Sequence, residues 1–172
     1  LIVCISLSVT SFTMYNRYFS PNTLLEEISC NAEQLSDDGA SFIEVHTEKI
    51  VANGNVQSAE KSHSGRYSAK LTQEQPYGMT CELTNVKKGE QLQVFVWRWD
   101  TSETGIIVSA SNENSFYKTN YTVTEADSNG WQHLLQCYEV PFDLQDDKLK
   151  IYLWNSGKQN VFFDDLHIVR VK

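Results

Sequence analysis

Two adjacent aspartates, Asp164 and Asp165, interrupt an apolar run near the end of the chain, with Val161-Phe162-Phe163 before them and Leu166-His167-Ile168 after. A stretch of that composition belongs at the margin of a hydrophobic core. Ionised carboxylates are costly there unless they are hydrogen-bonded, paired or bound to a cation. The doublet therefore predicts a local chemistry of that kind, and the rest of the chain must supply the partner.

A second anomaly lies in the aromatic residues. In residues 91–99, Leu92, Val94 and Val96 share one side while Phe95, Trp97 and Trp99 share the other, because successive side chains of a strand alternate. In residues 149–154, Leu149, Ile151 and Leu153 lie opposite Lys150, Tyr152 and Trp154. The aliphatic sides are the natural core. A half-solvated antiparallel sheet usually carries polar residues on its other side. Here both strands carry aromatics, a surface for a ligand, a covering loop or a partner protein.

Other chemistries find little support. His46, His63, His133 and His167 lack metal-ligand spacing, and no Cys-x-x-Cys or mixed Cys/His cluster marks a zinc site. Cys30, Cys81 and Cys137 are widely spaced and read as small apolar residues. No nucleophile-elbow or phosphate-loop motif occurs. A glycosidase needs two carboxyl groups about 5–10 Å apart across its substrate, and no such pair can be nominated. The chain is expected not to be an enzyme. A formal charge of −8 speaks against a nucleic-acid binder, whose footprint would be basic.

The elements that must position these residues are strands. Period-two runs at 42–46, 67–71, 79–83, 91–99, 106–111, 132–140, 149–154 and 161–169 are punctuated by turn signals such as Asn53-Gly54, Asn129-Gly130 and Ser156-Gly157. A short helical patch is expected at 23–28. Eight or so strands without a long helical pattern predict an all-β antiparallel sandwich. The chain of 172 residues suits one such domain.

Residues 1–13, LIVCISLSVTSFT, carry no charge, and Tyr15, Arg17, Tyr18 and Phe19 follow. Three readings stand: a membrane helix truncated at the first residue, a signal-peptide core, or a buried segment. The expected organisation is a membrane segment or signal remnant at 1–20, a linker at 21–30 and a sandwich at 31–172. The domain would then be membrane-anchored and extracytoplasmic, at the periplasmic or cell surface, with an upstream domain of the same chain as one possible partner.

Four landmarks in order carry a family resemblance. Ser62-His63-Ser64-Gly65-Arg66-Tyr67-Ser68-Ala69-Lys70-Leu71 resembles the "hSGkySlkv" stretch of carbohydrate-binding modules with the galactose-binding-like jelly roll. Lys88-Gly89 followed by Leu92-Gln93-Val94-Phe95-Val96-Trp97 is similar to their "kpG..Y.vsfWv" strand. Gly130-Trp131 through Pro141, and Phe162-Phe163-Asp164-Asp165-Leu166, resemble the remaining two. The beginning departs, since Asn31-Ala32-Glu33 has alanine where the family has an aromatic residue.

The resemblance implies a jelly-roll β-sandwich and a non-catalytic, glycan-recognising role, with a structural or protein-docking sandwich as the alternative. It implies a structural calcium held by Asp165, Glu33 and the turn at His63 to Gly65, with Asp164 in reserve; calcium takes six to eight oxygen ligands. The alternative is that Asp165 accepts hydrogen bonds from the turn while Asp164 faces solvent. It also implies that strands 91–99 and 149–154 share a sheet, so that Trp97, Trp99, Tyr152 and Trp154 form one platform with Arg98, Asp100 or Asn155 at its rim. Against that stand packing or covering of the same residues. Trp131 is assigned to the core, and His63 to a hydrogen bond within its own turn.

Overall fold

The computed structural model describes residues 23–112 and 115–172, so the membrane or signal expectation for 1–20 lies outside them. Thirteen strands run in chain order: β1 Leu24–Cys30, β2 Ser41–Ile43, β3 Ile50–Ala52, β4 Gln57–Ser58, β5 Ser68–Leu71, β6 Tyr77–Leu83, β7 Gln91–Trp99, β8 Gly105–Ala110, β9 Tyr117–Asn120, β10 Val123–Ala126, β11 Trp131–Glu139, β12 Leu149–Asn155 and β13 Val161–Val171. They form two sheets. Sheet A has the order β10-β11-β7-β13-β5-β4, with β1 also paired to β13; sheet B has the order β2-β3-β6-β12-β8-β9. All the pairings are antiparallel. Among the described residues no helix is long and apolar enough to cross a membrane.

Alternation explains the layering. Leu92, Val94 and Val96 of β7, and Leu149, Ile151 and Leu153 of β12, are all fully buried and belong to one core cluster. Two strands in opposed sheets thus turn their aliphatic sides toward each other, which is how a sandwich hides apolar surface. The expected helical patch at 23–28 is strand instead: β1 runs from Leu24 and zips onto β13, Ile28 opposite Ile168 and Cys30 opposite Leu166. That pairing buries Ile28 and Cys30, a gain that a short polar helix with Glu26-Glu27 would forgo. Burial also pushes the Cys30 thiol up to about 12, in keeping with an inert packing residue.

The last strand is not regular. Its pairing with β7 places Asp164 opposite Trp97 and His167 opposite Phe95, so one extra residue is accommodated between them. Asp165 sits in the left-handed region, φ 50°. This is a β-bulge, a device that bends a strand and re-aims its side chains.

Candidate functional site

Three carboxylates converge on the connection between β4 and β5. Asp164 is fully buried, and its Oδ2 accepts the backbone N–H groups of His63 (2.8 Å) and Ser64 (3.1 Å). Its Oδ1 accepts the N–H of Asp165 at 2.8 Å. Asp165 takes the His63 ring at 2.7 Å from Nδ1 to Oδ2, and the Ser64 hydroxyl at 2.7 Å on Oδ1. Glu33 Oε1 accepts the amides of Arg66 and Tyr67, both at 2.8 Å. Gly65, just before them, has φ +57°, and a Cβ there would lie 2.4 Å from Glu33 Oε1. Only glycine fits.

The structure brings together the residues that the sequence reading grouped. Asp164, given as the reserve calcium ligand and placed in solvent only in the alternative reading, is the buried acceptor of turn amides. Asp165 bonds side chains. The His63 partner is 102 positions away rather than local. Burial first, then the neighbouring Asp165 charge, pushes the Asp164 carboxyl up to about 7, against the pull of its three amide donors. As a calcium cradle the arrangement fits poorly. These carboxylate oxygens face N–H and O–H hydrogens, and among the described residues no group of three His, Cys, Asp or Glu side chains is disposed to hold a metal.

The turn held in this way lies over the outer side of sheet A. The His63 ring stacks on Trp97 with centroids 4.1 Å apart and planes 14° from parallel, and meets the edge of Trp131 at 5.7 Å. Lys61 Nζ stands 3.8 Å from the Trp99 ring centroid, within cation–π range. His133 leans on the Trp97 ring at 5.1 Å. Trp131 is buried but pairs with Trp99 on this outer side, outside the core cluster where it was expected. Trp97 and Trp99 are therefore partly covered by a loop, and both stay half-buried.

Tyr152 and Trp154 are elsewhere. The expectation that 91–99 and 149–154 share a sheet is corrected: β7 lies in sheet A and β12 in sheet B, so their aromatic sides point away from each other. Arg98 is corrected as well. As an even-numbered residue of β7 it points inward with Leu92, Val94 and Val96, is fully buried, and donates from Nη1 to Gly105 O at 2.8 Å and from Nε and Nη2 to Gln132 Oε1. Its ion-pair partner Asp100, at 3.7 Å, is equally buried, and Asn155 is buried too, so none of the three is a rim. Burial tends to raise the Asp100 carboxyl. Hydrogen bonds from Gly105 and Ser102, and the Arg98 charge, outweigh it and hold the group below its usual value.

The outer side of sheet B is the open aromatic surface. Trp154 is flanked by Tyr77 on β6 and Ile106 on β8, and Tyr152 by Thr80 and Val108. Tyr77 meets Tyr152 edge-on at 5.9 Å. Tyr117, on the edge strand β9 opposite the small Ala110, stands near enough to Tyr152 to bear on its phenol. Burial, then Tyr117 and Tyr77, pushes the Tyr152 phenol up to about 12. Tyr77 and Tyr117 remain 54% and 52% exposed. Polar groups border the row: Thr80, which receives the Asn53 amide at 3.0 Å, Lys150 in register with Glu82, and Glu82 paired to Lys148 at 3.0 Å.

Sequence reasoning missed Tyr77 and Tyr117. Tyr77, between Pro76 and Gly78, reads as turn, although it opens β6. Tyr117 falls in a polar stretch whose only signal is the alternation Tyr117-Lys118-Thr119-Asn120.

No protein-family model and no curated protein matches the chain. Solved structures do. The CBM22-1 xylan-binding domain from Paenibacillus barcinonensis Xyn10C superposes with a TM-score of 0.51 at 18% identity, over 88% of this chain and 96% of that one. The fold is that of a carbohydrate-binding module. A family 16 carbohydrate-binding module is similar at TM-score 0.46 and 15% identity, over 66% of this chain and 83% of its own. The C-terminal family 22 carbohydrate-binding module of Clostridium thermocellum Xyn10B gives 0.43 and 13%, over 66% and 77%.

Proposed function

We propose that this chain is a non-catalytic carbohydrate-binding domain whose platform is the outer side of sheet B, with Tyr152 and Trp154 joined by Tyr77 and Tyr117. Sugar rings offer C–H patches that stack on aromatic faces while nearby polar groups take their hydroxyls. The observation that carries the reading is the exposure of Tyr77 and Tyr117 beside the half-buried Tyr152 and Trp154, on a face bordered by Thr80, Glu82 and Lys150. Soluble xylan, which the CBM22-1 domain is described as binding, is the first probe, followed by other β-linked polysaccharides in affinity electrophoresis. Retardation that Trp154→Ala removes and Trp97→Ala preserves supports the platform. Loss with Trp97→Ala alone would move the site to sheet A.

Two companion readings belong to the same proposal. The seam at Glu33, Asp164 and Asp165 is closed by hydrogen bonds without calcium, since the amides and side chains of the turn already engage the carboxylates. Residues 1–20 hold the domain at a membrane on its extracytoplasmic side, supported by the uncharged run at 1–13 and the Tyr/Arg/Phe cluster behind it. Protease accessibility of the domain on intact cells tests the second.

A further inference from the structure

The chain contains two Asn-Gly pairs, Asn53-Gly54 and Asn129-Gly130. Such pairs are chemically labile because glycine offers the least hindered backbone nitrogen to the preceding side-chain amide. Gly130 N attacks Asn129 Cγ, the Cγ–Nδ2 bond breaks, and ammonia leaves with the proton that Gly130 N gives up. Water then opens the cyclic imide at either carbonyl, giving aspartate or isoaspartate. The sum is amide plus water to carboxylate plus ammonium, with no oxidant or cofactor needed. Which pair reacts depends on whether the amide and the glycine nitrogen are free to meet.

The fold treats the two pairs oppositely. Asn53 Nδ2 donates to Gly78 O at 2.8 Å and to Thr80 Oγ1 at 3.0 Å. Gly54 N donates to Ala40 O at 2.8 Å, and Gly54 is buried so tightly that an added Cβ would come within 2.5 Å of the Ser41 backbone. Both reacting atoms are engaged, and the Gly54 backbone cannot move without opening the contact between β2 and its neighbours. Asn129 and Gly130 are exposed in the turn joining β10 to β11. Asn129 Nδ2 has one contact, 3.5 Å from Asp127 Oδ2, and Gly130 N is 3.4 Å from Asp127 O. Both distances lie at the outer limit of hydrogen bonding. The turn is anchored instead through Asp127 Oδ1, which accepts the N–H groups of Asn129 and Trp131 at 2.8 Å each and leaves the reacting atoms loose.

We propose that Asn129 is a deamidation site in the folded protein, converting to aspartate and isoaspartate, while the fold shields Asn53 from the same chemistry. The product adds a negative charge beside Asp127, and the isoaspartate form adds a backbone methylene just before Trp131. Gly130 lies against Trp99, whose Nε1 would be 3.3 Å from a Cβ at that position. Remodelling of the turn is therefore reported by Trp99 fluorescence.

The test is ageing of the purified chain at mildly alkaline pH, with peptide mapping by mass spectrometry that separates aspartate from isoaspartate. Folded protein should deamidate at Asn129 at least about tenfold faster than at Asn53, because the latter must first open locally. In concentrated urea the two rates should converge. Asn129→Gln should remove the fast acidic species on ion exchange while leaving the melting temperature in place. Equal native rates at the two sites, or an Asn129 that reacts in urea but stays intact in the fold, would overturn the proposal.

Discussion

The two outer faces of the sandwich carry the same kind of residue and treat it differently. On sheet A the indoles of Trp97 and Trp99 lie beneath His63 and Lys61, whereas on sheet B Tyr77 and Tyr117 stay open beside Tyr152 and Trp154. The difference is made by the connection between β4 and β5, which Asp164 and Asp165 tie down from the far end of the chain and Glu33 from its beginning. An aromatic strand face is thus a ligand surface only if no loop claims it first.

Breaking the support beneath the covered face should produce the largest effects. Arg98→Ala strands the buried Asp100 charge and is expected to cost about 3–5 kcal/mol, measured by urea unfolding. A loss within error would restore Arg98 to a surface role. Asp164→Ala leaves the amides of His63 and Ser64 without an acceptor and should cost about 2–3 kcal/mol, with Trp97 fluorescence shifting as its cover loosens. The direct comparison is next in size. Trp154→Ala should weaken polysaccharide binding by about 2 kcal/mol with little change in stability, and Trp97→Ala should do the reverse.

A pH titration sharpens the same contrast. The folded-state pKa of Asp164 lies above its usual value, at about 7, so the folded chain binds a proton there more tightly than the unfolded one. Stability contributed by this group is present at low pH and falls as pH rises from about 4 toward 7. Asp164→Asn should flatten that slope. Glu44 and Asp100, held below their usual values, have the opposite sign and lose their contribution only under more acid conditions. The smallest expected effect is that of chelation. If hydrogen bonds close the seam, the melting temperature with EDTA should match that without it, whereas a calcium-loaded native state must melt lower once stripped.

Local pattern made much of this molecule legible. The limits of β7 and the inward Leu92, Val94 and Val96 follow from alternation alone, as does the outward pointing of Tyr152 and Trp154. The convergence of Glu33, the His63–Gly65 turn and the aspartate doublet followed from the family resemblance. Sheet membership was not legible. Alternation tells which residues share a side of a strand, but which sheet the strand joins depends on partners far along the chain, as in the pairing of Phe95 with His167 and with Leu135. Arg98 was misplaced for a related reason. Its charge suggests a surface, while its parity in β7 and the presence of Gly105, Gln132 and Asp100 settle it inside. The strand β1 read as helix because pairing energy with β13 is invisible in a seven-residue window.

The extra residue at Asp165 has an effect on sidedness. Before it, the even-numbered Phe162 and Asp164 face outward on β13; after it, the odd-numbered His167, Val169 and Val171 do. One ribbon can thereby hand a carboxylate up to the overlying turn and, two residues on, return Leu166 and Ile168 to the interior. A relative that lost this single insertion would have to choose between the two tasks, with either its acidic latch or its aliphatic lining rotated to the wrong side.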